Sequence, residues 1–164
     1  MTRLSAGLVM FRLRAGRPEF LLVHAGGPLF KNKDAGHWTI PKGEPHDGEP
    51  LLTTARREFE EETGLGAPGD DNAMTPLAPI TQKGGKIVHA WAFAGDCDPT
   101  ALRSNTFKME WPPRSGKSEE FPEIDAAGFF DLPAAQQKIK PAQLPLLVEL
   151  AARLAAIHAA PGRG

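Results

Sequence analysis

Leu51, Leu52, Ala55 and Phe59 recur at helical spacing through residues 49–65, EPLLTTARREFEEETGL, and such a stretch is read as an amphipathic helix. Acidic and proline residues stand at its start, and Gly64 occupies the place of a C-terminal cap. Runs of strand formers lie on both sides. Residues 4–14 (LSAGLVMFRLR) and 19–25 (EFLLVHA) flank the turn chemistry of RAGRP and predict a hairpin, and HWTIPKG predicts one short strand stopped by Pro41 and Gly43. Beyond the helix, the linker GAPGDDNAMTP leads to strand candidates LAPITQK and KIVHAWAFAG, then to a long irregular segment, 104–123. Its Phe107, Trp111 and Phe121 predict an ordered loop. IDAAGFFDL predicts a further strand, PAAQQKIKPAQ a connection, and LPLLVELAARLAAIHAA a closing amphipathic helix before a frayed tail at 161–164. A helix enclosed by strands, with another at the end, predicts an α/β fold: a mixed sheet with helices on its faces.

The 164 residues suit one domain, expected over 1–160. A formal net charge of -1 gives no global attraction to nucleic acid or to an anionic membrane, so an anionic ligand needs a local site. Cys97 is the single cysteine, which excludes an intrachain disulfide and argues against a Cys-built zinc centre. The apolar stretch near the start is too short for a signal peptide, and no run approaches the roughly 20 apolar residues of a membrane span. A cytoplasmic protein is the expectation.

On a helix turning about 100° per residue, Glu58, Glu61 and Glu62 fall within an arc of roughly 100°, with Phe59 and Ala55 on the other side. Glu60 points elsewhere, to solvent. Three carboxylates on one face repel, and a divalent cation such as Mg2+, which takes oxygen ligands, is a reason to collect them. A solvated acidic face is the plain alternative. Two neighbours favour the cation. Arg57, four residues before Glu61, can orient a carboxylate through its planar fork. Lys42 and Gly43 in PKGE place a positive charge and a backbone turn just upstream, one suited to phosphate and the other to a carbonyl ligand.

The spacing is that of a known signature. Gly43, five residues, Glu49, seven residues, Arg57-Glu58-Phe59, one residue, Glu61-Glu62, one residue and Gly64-Leu65 match the Nudix box at every defined position. The chain therefore resembles the Nudix hydrolases, and SAGLVMFR, WTIPKGE and AAGFFDL are similar to the family's first strand, its approach to the box and its late strand. The resemblance implies an α/β/α sandwich with the box as loop–helix–loop. It also implies hydrolysis of a nucleoside diphosphate linked to another group, supported by Mg2+ or Mn2+. Carried over, Glu58, Glu61 and Glu62 are metal ligands, the Gly43 carbonyl is a further one, Arg57 orients the carboxylates and Glu49 stabilises the box. The base is Glu58 or a carboxylate of SEEFPEID. Glu123, six residues before Phe129, is preferred there to Glu119 and Glu120 as an added ligand or base.

For the substrate, the candidates are Lys42 and Lys86 for phosphate, Arg114 as a polyphosphate clamp and Trp111 as a base platform. Lys83, His89, Lys117, Phe107 and Phe121 rank behind them. If residues 86–93 form a strand, Lys86, Val88, Ala90 and Ala92 share one face and Ile87, His89 and Trp91 the other. SNTFKMEWPPRSGK is similar to a subgroup of nucleoside triphosphate pyrophosphohydrolases, and the approach to the box resembles diadenosine tetraphosphate hydrolases. Both substrate classes stay open. Two other readings stand beside the enzyme: a nucleotide sensor that does not cleave, and an RNA 5′-end pyrophosphohydrolase. The intact box glutamates speak against the first and the absence of a basic stripe against the second.

Overall fold

Alternation along the first hairpin sends side chains into two separate cores. In the computed structural model of the chain, which describes residues 3–159, β1 (Leu4–Arg14) and β2 (Arg17–Ala25) pair antiparallel from Phe11↔Phe20 to Arg14↔Arg17. The expected tail at 161–164 lies outside the described residues. Both strands are apolar at successive positions because the sheet is covered on both faces. Leu8, Met10 and Leu21 enter one core, while Val9, Phe20 and Leu22 enter the other.

On the N-terminal side of Phe11 the two strands part, and the gap takes β3 (Trp38–Thr39) against β2 and β4 (Lys42–Gly43) against β1. The single strand expected over HWTIPKG is thus two dipeptide strands. The break falls at Ile40 and Pro41: Pro41 has no N–H for a ladder, and its carbonyl accepts from Leu8 N at 3.2 Å. This wedge leads into α1 (Leu51–Thr63), which ends at Gly64 with φ 78°, a left-handed cap that favours glycine.

Downstream come β5 (Thr75–Pro76), β6 (Ile80–Thr81), β7 (Ile87–Ala94), β8 (Thr106–Glu110), β9 (Ser118–Pro122) and β10 (Ile124–Asp131). LAPITQK supplies only the two residues of β6 to the sheet. The main path is β10-β2-β1-β7-β5, with β1 and β7 parallel over Leu4↔Ile87 to Phe11↔Ala94 and its other pairings antiparallel. Segment 104–123, expected to be irregular, is instead a hairpin of its own. β8 and β9 pair with Phe107 opposite Phe121, half-buried residues alternating with exposed Lys108 and Glu120. The connection expected at 133–143 contains α2 (Leu132–Lys138), whose start Asp131 caps by accepting from Ala134 N at 3.0 Å. α3 (Leu144–Ala159) closes the fold.

α1 covers one face of the sheet with Ala55 and Phe59 packed on Leu8, Leu21 and Phe93. α2 and α3 cover the other with Ala135, Leu146, Leu147 and Leu150 packed on Val9, Leu22 and Ala90. This is the α/β/α sandwich the sequence implies. Phe59 is fully buried, edge-on to Phe93 with ring centroids 5.4 Å apart. Phe59→Ala is expected to cost about 3–5 kcal/mol, read as a lowered urea midpoint, while the exposed control Glu60→Ala stays within about 0.5 kcal/mol.

Candidate active site

The open end of the split hairpin brings the PKGE turn against the polar face of α1. Gly43 sits so close that a Cβ there would fall 2.1 Å from the Glu58 carboxylate carbon. Only glycine leaves room for that side chain. Arg57 then organises the carboxylates. Its Nε and Nη2 donate to the two oxygens of Glu49, both at 2.9 Å, its Nη1 donates to Glu58 at 2.8 Å and to Glu61 at 3.3 Å, and Nη2 also reaches the Glu44 carbonyl at 3.1 Å. Glu49 accepts further from Thr54 Oγ1 at 2.7 Å and His46 N at 3.1 Å. The fork holds the Glu49 carboxyl well below the usual carboxylate range, and Arg57 is in turn held charged.

Glu123 arrives by a relay of backbone bonds. Asn105 N donates to the Glu61 carbonyl at 2.8 Å, Glu123 N to the Asn105 carbonyl at 2.8 Å, and Gly26 N to the Glu123 carbonyl at 2.8 Å. Glu123 therefore stands near the end of α1, where burial first and then Glu58 and Glu61 push its carboxyl up. Glu62, 8% exposed, is pushed up to about 8 by burial and then by Glu58 and Glu123, with Lys42 pulling the other way. A cavity of about 270 Å³ opens beside it, lined also by Thr100, Ser104 and Asp125. Lys42 is pushed down to about 8 by burial, by Lys140 and by Lys86, opposed by Glu62 and Glu44.

Glu58, Glu61, Glu62 and Glu123 thus converge, with Arg57 behind them and Lys42 and Lys86 in electrostatic reach. Trp111 and Arg114 do not join them. Both lie in the turn between β8 and β9, beyond a five-residue strand and so roughly 16 Å along the hairpin from Asn105 at about 3.3 Å per residue. Arg114 is exposed, and its backbone N donates to Glu110. The Phe107 ring packs over Gly27, so it fastens the hairpin to the loop after β2. Glu119 and Glu120 are exposed on β9. Lys86 precedes β7, whose Val88, Ala90 and Ala92 face the α3 core. Lys140 stands after α2 with no motif around it in the sequence, and pairing of its segment with Trp38, including the bond from Lys140 N to the Trp38 carbonyl at 2.8 Å, brings it here.

The donor set suits a divalent cation. Oxygen donors outnumber the cations near them, burial and then neighbouring carboxylates raise the Glu62 and Glu123 carboxyls, and Gly43 leaves its backbone open against Glu58. Among the described residues, no three His, Cys, Asp or Glu side chains close into a finished cage, since Glu58 and Glu61 are turned toward Arg57.

Comparison with known proteins agrees with this architecture. Residues 1–150 match the NUDIX domain model, and the chain belongs to that family. It is 43% identical over 61 residues to a bis(5′-nucleosyl)-tetraphosphatase (asymmetrical) of Caenorhabditis elegans, a match covering 37% of this chain and 40% of that protein. It is 39% identical over 69 residues to the protein of the same description from Sus scrofa, covering 38% and 43%. The matched stretch is therefore less than half the length of either curated relative. A crystal structure of a C. elegans Ap4A hydrolase binary complex superimposes with TM-score 0.64 at 25% identity, covering 93% of this chain and 98% of that one. No helix among the described residues is long and apolar enough to cross a membrane.

The raised Glu62 carboxyl has a consequence for the metal-free fold. Native protein keeps a proton there that the unfolded chain releases, so stability falls as pH rises from about 4.5, the ordinary value, to about 8. In EDTA-treated protein, Glu62→Gln is expected to raise the melting temperature at pH 8 and to change it little at pH 4.5. The gain should be at least that of one pKa unit, about 1.4 kcal/mol.

Proposed function

We propose that the chain hydrolyses a phosphoanhydride bond in a nucleotide polyphosphate, either a nucleoside triphosphate or a dinucleoside polyphosphate, with Mg2+ or Mn2+ as cofactor. The convergence of Glu58, Glu61, Glu62 and Glu123 beside Lys42 carries this reading: oxygen ligands for a cation stand next to a positive charge for phosphate. Family membership and the likeness to proteins described as tetraphosphatases support it.

In this reading Glu58, Glu61 and Glu62, with the Gly43 carbonyl, hold the cation, and Glu123 adds a fourth carboxylate. The bound ion supplies positive charge that offsets the phosphate oxygens and makes water more acidic. The chain's own residues do the rest. Arg57 fixes the rotamers of Glu58 and Glu61, so the ligands are positioned before substrate arrives. Lys42, half-buried and hence weakly solvated, pairs with a phosphate oxygen more strongly than an exposed lysine would. Water attacks phosphorus, the anhydride P–O bond breaks, and the water's proton passes to a carboxylate. In this reading that carboxylate is Glu58 or Glu123.

Incubation with a panel of nucleoside triphosphates and dinucleoside polyphosphates in Mg2+, with products identified by mass, tests the proposal. Glu61→Gln is expected to lower kcat by at least about 100-fold, the loss of several kcal/mol of charge stabilisation. Its melting curve should stay near that of the wild type, because the side chain lies on a polar face. EDTA should abolish turnover and Mg2+ restore it. Tight nucleotide binding without turnover would instead make the chain a sensor.

A further inference from the structure

Beyond Lys42 and Lys86 lies a second cavity, of about 600 Å³, lined by His37, Gln82, Lys83, Lys140 and Pro141. Two of its polar groups are lysine ammonium donors, and a third group can be oriented from the hydrogen bonds alone. Ile40 N can only donate, and its partner at 3.0 Å is Gln143 Oε1, which fixes the amide of this fully buried glutamine. Gln143 Nε2 then donates to Thr39 Oγ1 at 2.9 Å and to Gln82 Oε1 at 2.7 Å. The Gln82 oxygen is thereby occupied, and its NH2 group, which no acceptor among the described residues takes, is left for the cavity. Lys83 and Lys140 add two ammonium groups, while His37 gives Nδ1–H to the Ala35 carbonyl at 2.9 Å. His37 is the one aromatic ring among the described lining residues, and the two ammonium groups match the higher charge of an uncapped terminal phosphate better than they match a neutral base. Lys140 is also in electrostatic reach of Lys42, Lys86 and Glu62, which joins the cavity to the carboxylate site.

We propose that this cavity is a subsite for a free terminal phosphate: the substrate is a nucleotide whose phosphate chain runs from the carboxylates past Lys42 and Lys86 to Gln82, Lys83 and Lys140. The proposal rests on the hydrolase reading and sharpens it, favouring a nucleoside polyphosphate with an uncapped end over a dinucleoside polyphosphate.

Two measurements test it on the full chain. The first compares kcat/KM for a nucleoside 5′-tetraphosphate and a dinucleoside tetraphosphate in wild type and in Lys83→Ala/Lys140→Ala, both positions being exposed. The ratio of uncapped to capped substrate is expected to fall about tenfold in the variant, and Lys83→Arg/Lys140→Arg should restore most of it. An equal loss on both substrates, or a larger loss on the capped one, would overturn the subsite. The second titrates metal-free protein with inorganic tripolyphosphate by calorimetry. The dissociation constant is expected to rise about tenfold in the alanine variant and severalfold in Gln82→Leu. Unchanged binding would overturn the proposal. If the wild type cleaves neither nucleotide, the hydrolase reading fails and the calorimetry alone decides the subsite.

Discussion

The Arg57 guanidinium divides the acidic cluster in two. Like charges on one helix face repel, and α1 carries Glu58, Glu61 and Glu62 together because a planar cation with several fixed donors lies among them. Glu49, Glu58 and Glu61 are thereby satisfied within the chain. Glu62 and Glu123 have no arginine partner among the described residues, and both carboxyls are pushed up by burial and then by their neighbours' charge. The site is rigid where arginine holds it and short of positive charge where arginine does not reach. The proposed cation would meet a pre-oriented half and a half that gains by its arrival.

That division depends on the sheet. Because β1 and β2 separate on the N-terminal side of Phe11, the dipeptides β3 and β4 fit between them, and β4 brings Gly43 onto α1. Glu123 depends on a different device. Its position comes from the chain Glu61–Asn105–Glu123–Gly26, in which each link is a backbone bond. Side-chain substitution leaves such a relay intact, so the placement of the fourth carboxylate is a property of the fold more than of its neighbours' identities. Ser104 reinforces it, its Oγ accepting from Ile124 N at 3.0 Å.

The parts of the molecule governed by short-range periodicity were legible from residue order. The hairpin, α1, β7 and α3 were all anticipated, as was the opposition of Phe59 to the glutamates. Local chemistry hid the rest. In 104–123 the alternation of Phe107 and Met109 with Lys108 and Glu110 was present, but the two prolines and two turn residues at 112–116 obscured a hairpin whose strands find each other only by pairing. Asp131 followed by Pro133 is a helix start, yet the seven residues of α2 are too few to display a period. Trp111 and Arg114 lie at the far end of the β8–β9 hairpin from Glu123. Their chemistry is set by residue type, whereas their distance from Glu123 is set by the reach of β8 and β9.

The same distinction explains why the cationic side of the site could not be read in full. Lys42 and Lys86 sit in or near recognisable strand chemistry, but the pair Gln82 and Lys83 is far in sequence from Lys140 and Gln143. What joins them is the buried amide of Gln143, which ties Thr39 and Ile40 of the wedge to Gln82 of the β6–β7 turn. An amide so enclosed has one arrangement of its oxygen and nitrogen that satisfies every partner, and that arrangement gives the Gln82 oxygen a donor. The net charge of -1 therefore conceals a steep local separation, with carboxylates on one flank and ammonium groups on the other. A ligand that is merely cationic or merely anionic uses half of it. The proposed substrate, a chain of phosphates carried with a cation, would use both, because each half neutralises what the other attracts.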